Sequence, residues 1–211
     1  MNTPTKITLT RIIVTAALIV SLFVLSFFNF ETPLLGNTRI NLVFLIIAVI
    51  FVVVCYTDHL DGYLARKHNQ ITDLGKFLDP VADKLLINSM VIFLIAPQIF
   101  APYAKEQIVN FNMWCAILIV ARDIIVDALR FVAAQRNKVI AANIFGKLKT
   151  VFQMVTIVIV LLNGFPFNYF DATWPVGLHI SDFMVYITTL TSVVSGIIYV
   201  CQNIGVFKNE E

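Results

Sequence analysis

Six apolar runs, each long enough to cross a bilayer as a helix, dominate this sequence. They lie near residues 9–28, 40–62, 77–97, 111–134, 149–164 and 181–203. A transmembrane helix needs about 20 residues to cross roughly 30 Å of hydrocarbon. Only segments that satisfy their own backbone hydrogen bonds can span it. The sequence therefore predicts an all-α integral membrane bundle of six transmembrane helices, folded as a single domain over residues 1–211.

The basic residues orient the predicted bundle. Only 13% of the residues are charged, against about 25% in soluble proteins. If the N-terminus is cytoplasmic, the outer loops contain only Arg39 and Lys105 of the 15 Lys and Arg residues. Because cytoplasmic loops carry the excess of positive charge, we expect a multi-pass protein of the cell membrane with both termini cytoplasmic. Membrane lipids are expected partners, and nucleic acid is not.

An acidic segment interrupts the apolar pattern. Five of the 13 Asp and Glu residues fall between positions 58 and 83. Asp58 and Asp61 are three residues apart, and Asp79 and Asp83 are four apart, so each pair shares one helix face. The connection between the second and third runs is short. We therefore expect all four carboxylates to converge at the cytoplasmic end of the bundle.

Four converging carboxylates repel one another, so they must hold protons or bind cations. Mg²⁺ prefers oxygen ligands, and two such ions about 3.5–4 Å apart would clamp a phosphoryl group for displacement. Gly62 and Gly75 would let a ligand or a helix approach closely, and Arg66 adds a fork-shaped cation suited to phosphate. A solvated helix face is the plainer interpretation of such acidic pairs. The cation site of an ion-coupled transporter is the rival in another functional class.

The spacing D-x-x-D-G-x-x-A-R-x(8)-G-x-x-x-D-x-x-x-D, starting at Asp58, resembles the signature of the CDP-alcohol phosphotransferase family. This resemblance implies a six-helix membrane enzyme, usually a homodimer, with its active site at the cytoplasmic side. Such an enzyme transfers the substituted phosphoryl group of a CDP-linked donor to an alcohol and releases CMP. Segments 63–86, 121–130 and 146–153 also resemble the bacterial phosphatidylglycerophosphate synthase branch of the family, which implies a bacterial inner or plasma membrane. The last run shares none of this likeness and is interpreted as simply apolar.

The resemblance also implies roles for the residues of the signature. Asp58, Asp61, Asp79 and Asp83 would bind two Mg²⁺ ions, with Mn²⁺ as the possible substitute. Asp83 would in addition be the catalytic base that takes the proton of the attacking hydroxyl. The predicted CDP-donor site consists of residues of the same segment: Asp58, Asp61, Gly62, Ala65, Arg66, Gly75 and Asp79.

A second group of charges lies further along the chain, in the fourth run and at the start of the fifth. Arg122, Asp123, Asp127 and Arg130 belong to the fourth run, and Lys147 and Lys149 open the fifth. Charges within hydrocarbon either pair with one another or line a cavity. One interpretation is an internal ion-pair network, in which Asp127 pairs with Arg130. The other is that Arg122, Arg130 and Lys147 bind the phosphate of an acceptor.

These features predict an enzyme that transfers a phosphatidyl group from CDP-diacylglycerol to glycerol 3-phosphate. The products would be phosphatidylglycerophosphate and CMP, in phospholipid biosynthesis. Two alternatives keep this chemistry and change the acceptor, namely a cardiolipin synthase and a phosphatidylinositol-phosphate synthase. An acceptor without a phosphate would leave the second group of charges unexplained.

Overall fold

Six long α-helices make up most of the described chain in the computed structural model. Residues 3–28, 33–36, 38–67, 73–97, 109–135, 144–171, 173–175 and 177–203 are described, with the backbone alone for 3–8, 58–67 and 73–80. The helices are α1 (Thr3–Leu25), α2 (Leu42–Lys67), α3 (Asp73–Phe93), α4 (Met113–Gln135), α5 (Ile144–Leu161) and α6 (Ile180–Asn203). Each coincides with one predicted apolar run. However, α2 and α3 extend further into the acidic segment than the apolar pattern indicated.

The helices pack as two groups of three. Helix α1 packs against α2 and α3, α6 packs against α4 and α5, and α5 joins the groups through its contacts with α2 and α3. Large apolar side chains fill the interior, and Phe44, Phe51, Met90, Ile119 and Ile157 are almost completely buried. Such close packing, rather than removal of apolar surface from water, is what holds helices together in lipid.

Large apolar side chains also cover the outside of the bundle. The exposed fraction is 64% for Phe23, 72% for Trp114 and 64% for Leu190. A soluble monomer rarely exposes apolar patches of this extent, whereas hydrocarbon accommodates them. This is the surface of a membrane protein. By length and composition, two described helices qualify as membrane spans, Ile144–Leu161 and Ile180–Asn203, and Leu9–Leu25 and Leu42–Thr57 are shorter apolar stretches.

Three connections meet at one end of the bundle, which we call the loop end. The Asn163 side chain accepts a hydrogen bond from the Val109 backbone N–H (3.3 Å) and donates one to the Arg39 carbonyl (3.2 Å). The α1–α2, α3–α4 and α5–α6 connections therefore lie together, and successive helices alternate in direction. It follows that the end of α2, the start of α3, the end of α4 and the start of α5 share the opposite end. We call this the charged end.

Candidate active site

A cavity of about 210 Å³ lies towards the charged end, between α3, α4, α5 and α6. Its described lining contains five cationic and three anionic side chains, an excess of two positive charges. The cations are Lys84, Arg122, Arg130, Lys147 and Lys149, and the anions are Asp83, Asp123 and Asp127.

Asp123 is the centre of a buried ion-pair network. The Lys149 Nζ lies 2.7 Å from both of its carboxylate oxygens, and the Arg122 Nη1 lies 3.0 Å from Oδ1. Asp123 and Lys149 are each 4% exposed. Two charges removed from water remain stable together only when they are well paired and hydrogen-bonded, as they are here. The ion-pair interpretation is therefore confirmed for Asp123, and Lys149 is its partner.

Asp127 is also paired, but with a different residue from the one expected. Its carboxylate contacts the Lys84 ammonium, which reaches across from α3. The predicted Asp127–Arg130 pair is wrong, because the Nε of Arg130 donates to the Tyr199 hydroxyl instead (3.2 Å). The pairing of Asp127 with Lys84 links α4 to α3 next to Asp83.

The three predicted acceptor-binding cations all line the cavity. The Nη2 of Arg122 donates to the Ser195 Oγ at 2.8 Å. The guanidinium carbon of Arg130 lies 5.4 Å from the centre of the Tyr199 ring, within cation–π range. Lys147 is exposed near the start of α5 and makes no hydrogen bond with a described residue. Because each terminal guanidinium nitrogen carries two N–H groups, both arginines retain donors for an anion.

Asp83 lines the same cavity as these cations, so the predicted base and the predicted phosphate ligands are brought together. The side chains of Asp58, Asp61, Gly62, Ala65, Arg66, Gly75 and Asp79 lie outside the described residues. Their backbones belong to α2 and α3, which both reach the charged end. Among the described side chains, no three His, Cys, Asp or Glu residues form a group that could hold a metal ion. Three of the four predicted ligands are not among these described side chains. Carboxylate oxygens of this kind are the ligands that Mg²⁺ prefers.

Sequence reasoning missed the contribution of α6 to this cavity. Ser195 and Tyr199 line it, although the last run was interpreted as simply apolar. A signal was present, because Thr188, Ser192, Ser195 and Tyr199 recur at steps of four, three and four residues, on one face of a helix. All four are buried.

Comparison with known proteins decides the family. The sequence profile of the CDP-alcohol phosphatidyltransferases matches residues 1–197. The chain belongs to this family. The match covers the acidic signature and reaches into α6 as far as Ser195 and Gly196, so the CDP-alcohol phosphatidyltransferase resemblance seen in the signature is confirmed.

Several similar proteins share the name CDP-diacylglycerol–glycerol-3-phosphate 3-phosphatidyltransferase. The Bacillus subtilis protein is 35% identical over 202 residues, which cover 96% of this chain and 95% of the relative. The Rickettsia felis protein is 32% identical over 189 residues, covering 89% and 91%. The Mycoplasma pneumoniae protein is 40% identical over 137 residues, covering 64% and 54%. These CDP-alcohol phosphatidyltransferases are similar to the chain over most of its length.

Proposed function

We propose that the protein transfers the phosphatidyl group of CDP-diacylglycerol to glycerol 3-phosphate and so makes phosphatidylglycerophosphate and CMP. The observation that carries this proposal is the cavity in which Asp83 lies among other side chains, and the described lining as a whole has an excess of two positive charges. A phosphate monoester carries about −1.5 to −2 at pH 7 and would balance that excess. The name shared by the similar bacterial proteins describes the same reaction.

The acceptor would bind with its phosphate against Arg122, Arg130 and Lys147 and its primary hydroxyl towards Asp83. Asp83 takes the hydroxyl proton as the acceptor oxygen attacks the phosphorus that carries the diacylglycerol. The bond from that phosphorus to the oxygen bridging to CMP breaks, and CMP leaves with the oxygen. A positioned general base contributes about 10²- to 10⁴-fold in rate.

The donor would be held by the acidic segment. Asp58, Asp61, Asp79 and Asp83 would hold two Mg²⁺ ions, or Mn²⁺ in their place. Bound ions of this kind neutralise a pyrophosphate and the charge that develops on the leaving group. Gly62, Ala65, Arg66 and Gly75 would bind the CDP group, where small residues permit close approach and the arginine supplies a planar donor fork.

The protein would span the membrane six times as a homodimer, with both termini and the charged end in the cytoplasm. The alternating direction of the helices supports the six crossings. The orientation is supported by the distribution of basic residues, because five of them line the cavity towards the charged end whereas Arg39 lies at the loop end. The acyl chains of the donor would then remain in the bilayer while its head group reaches the cavity. The orientation can be tested with variants that carry a single cysteine at Asn37 or at Lys138. When intact cells are treated with a membrane-impermeant maleimide, only Asn37→Cys should react.

The deciding experiment measures CMP release by purified protein in mixed micelles that contain CDP-diacylglycerol and Mg²⁺. Glycerol 3-phosphate, inositol phosphate and phosphatidylglycerol are supplied in separate reactions. Release that requires glycerol 3-phosphate and stops with EDTA supports the proposal. Release with another acceptor instead would keep the chemistry and replace the acceptor. An ion-coupled transporter would release no CMP with any of them.

A further inference from the structure

We infer that α6 sets the positions of the two arginines that bind the acceptor phosphate. Ser195 and Gly196 would hold Arg122, and Tyr199 would hold Arg130. The three α6 residues are positioning residues, since they would act on the acceptor through the arginines. This inference rests on the proposed function, because it takes the cavity between α4 and α6 as the acceptor site.

Arg122 lies against α6 at two residues. It donates a hydrogen bond to Ser195, and it packs closely over Gly196, which has no side chain. Its Nη2 donates to the Ser195 Oγ (2.8 Å), and Ser195 is only 2% exposed. A Cβ at Gly196 would lie 2.7 Å from the Arg122 Cγ and 3.3 Å from its Nε. The arginine side chain therefore crosses the α6 backbone where only glycine leaves room, and any larger residue would displace it.

Arg130 is held by one aromatic side chain. Its Nε donates to the Tyr199 hydroxyl (3.2 Å), and its guanidinium carbon lies 5.4 Å from the ring centre. Tyr199 is 2% exposed, so its ring has little freedom of its own. A charged group gains from both contacts, because a ring face attracts cations and a hydroxyl oxygen accepts hydrogen bonds from them.

The spacing of these contacts brings the two guanidinium groups together. Arg122 and Arg130 are eight residues apart in α4, about 12 Å along the helix axis. Their α6 partners Ser195 and Tyr199 are four residues apart, about 6 Å along the axis. Since α4 and α6 run in the same direction, we expect the two side chains to lean towards each other, and both line the same cavity. Convergence of this kind suits a single phosphate group better than two separate anions.

Pre-positioned ligands lower the cost of binding, because an arginine that is already ordered loses less rotamer freedom when the anion arrives. The inference therefore predicts a selective effect on the acceptor. Ser195→Ala should raise the KM for glycerol 3-phosphate about tenfold, the effect of one hydrogen bond to a charged group. Gly196→Ala should raise it at least as much. The KM for CDP-diacylglycerol should remain within about twofold, since Ser195 and Gly196 act on Arg122, which is proposed to bind the acceptor and not the donor.

Matched substitutions on the same helix separate positioning from packing. Ser192 is one turn before Ser195, fully buried, and its Oγ has no partner among the described residues. Ser192→Ala therefore removes an equivalent hydroxyl without touching an arginine. Tyr199→Phe should raise the acceptor KM about fivefold. Its control is Tyr186→Phe, at an exposed position of α6. Thermal unfolding checks that all variants fold.

A double variant tests whether Ser195 acts through Arg122. In an Arg122→Ala background, Ser195→Ala should change the acceptor KM no further, because the side chain it positions is gone. A further tenfold rise would overturn the inference. So would unchanged acceptor KM values for Ser195→Ala, Gly196→Ala and Tyr199→Phe in an otherwise active enzyme, or equal rises for Ser192→Ala and Ser195→Ala.

Failure of the proposed function is distinguishable from failure of this inference. If inositol phosphate rather than glycerol 3-phosphate supports CMP release, the proposed acceptor is wrong, and the same KM comparison with inositol phosphate decides the role of α6. If no acceptor supports release, calorimetry of glycerol 3-phosphate binding decides. Wild-type binding that weakens in Ser195→Ala and not in Ser192→Ala would support the inference, and absence of wild-type binding would overturn both proposals.

Discussion

Polar groups occur at both ends of this apolar helix bundle, and the two ends stabilise them in different ways. At the loop end, neutral amide side chains such as Asn163 and Asn168 hydrogen-bond to backbone groups of other connections. At the charged end, side chains of opposite charge pair across helices, as Lys149 does with Asp123 and Lys84 with Asp127.

The two ends also differ in the charge that remains after their polar groups have paired. At the loop end, Asn163 uses both its carbonyl and its amino group on backbone partners, and the buried Asp171 carboxylate accepts a hydrogen bond from the Ile180 backbone N–H (2.7 Å). The described lining of the charged cavity has two cations in excess of its carboxylates. Unbalanced charge in a low-dielectric bundle is costly and marks a functional site. We therefore expect substitutions at the charged end to affect activity most and those at the loop end to affect stability alone.

The largest effect is expected for Asp83, compared with a carboxylate near the loop end. Asp83→Asn removes the proposed base and should lower kcat for CMP release by about 10²- to 10⁴-fold. Asp182→Asn makes the same change at the start of α6, where Asp182 Oδ2 accepts from the His179 backbone N–H (3.0 Å). It should keep kcat and cost less than about 1 kcal/mol of stability, because the amide oxygen of asparagine still accepts that hydrogen bond and only the attraction between the charge and the helix N-terminus is lost. Turnover of Asp83→Asn within tenfold of wild type would contradict the base assignment.

The next effect concerns the buried Asp123–Lys149 pair. Asp123→Asn leaves the Lys149 ammonium in place without its counter-charge, and removal of one partner from a buried pair costs about 3–5 kcal/mol. For a chain of this size the melting temperature should fall by roughly 10 °C. The double variant Asp123→Leu with Lys149→Met removes both charges and should recover most of the loss. The KM of this double variant for glycerol 3-phosphate should nevertheless remain above the wild-type value, because Arg122 has lost its hydrogen bond to Asp123. Thermal unfolding and CMP release measure the two effects.

The helical architecture and the acidic signature were predictable because both depend on short-range spacing. Apolar runs of about 20 residues identify helices by length and composition alone. Carboxylates at i and i+3 or i+4 share a face in any helix. Arg122 and Arg130 lie in the same apolar run of the sequence, and the structure brings both to the cavity of Asp83. These features need no knowledge of which helices are neighbours.

Features that depend on helix neighbours were not predictable. Asp127 pairs with Lys84 rather than with Arg130, because α3 packs beside α4 and presents a cation closer than the one in its own helix. Gly196 reads in the sequence as an ordinary small residue of an apolar run. Its importance depends on the Arg122 side chain that crosses it. Asn163 gives no sign in the sequence of the two connections it joins.

A smaller effect, confined to stability, is expected at Asn163. Asn163→Ala removes two hydrogen bonds between connections and puts alanine at a φ of 54°, a backbone conformation that asparagine tolerates better than most residues. We expect a loss of about 2 kcal/mol and unchanged KM values for both substrates. Asn163→Gly removes the same amide without the backbone strain and should cost less. A raised acceptor KM in either variant, measured by CMP release, would contradict the separation of the two ends.

The smallest effect is expected for Lys147, an exposed cation of the cavity that makes no hydrogen bond with a described residue. An exposed charge contributes at most about 1 kcal/mol because water screens it, so Lys147→Ala should raise the acceptor KM only about threefold. The effect should shrink as salt is raised, since the Debye length falls from about 10 Å at 0.1 M to about 3 Å at 1 M.

Lys138→Ala, in the segment between α4 and α5, makes the same change in net charge and serves as the control. Equal effects of the two substitutions would mean that Lys147 attracts the acceptor only through the overall charge. A difference that persists at high salt would mean direct contact with the phosphate, and Lys147 would then belong to the binding site as fully as Arg122 and Arg130.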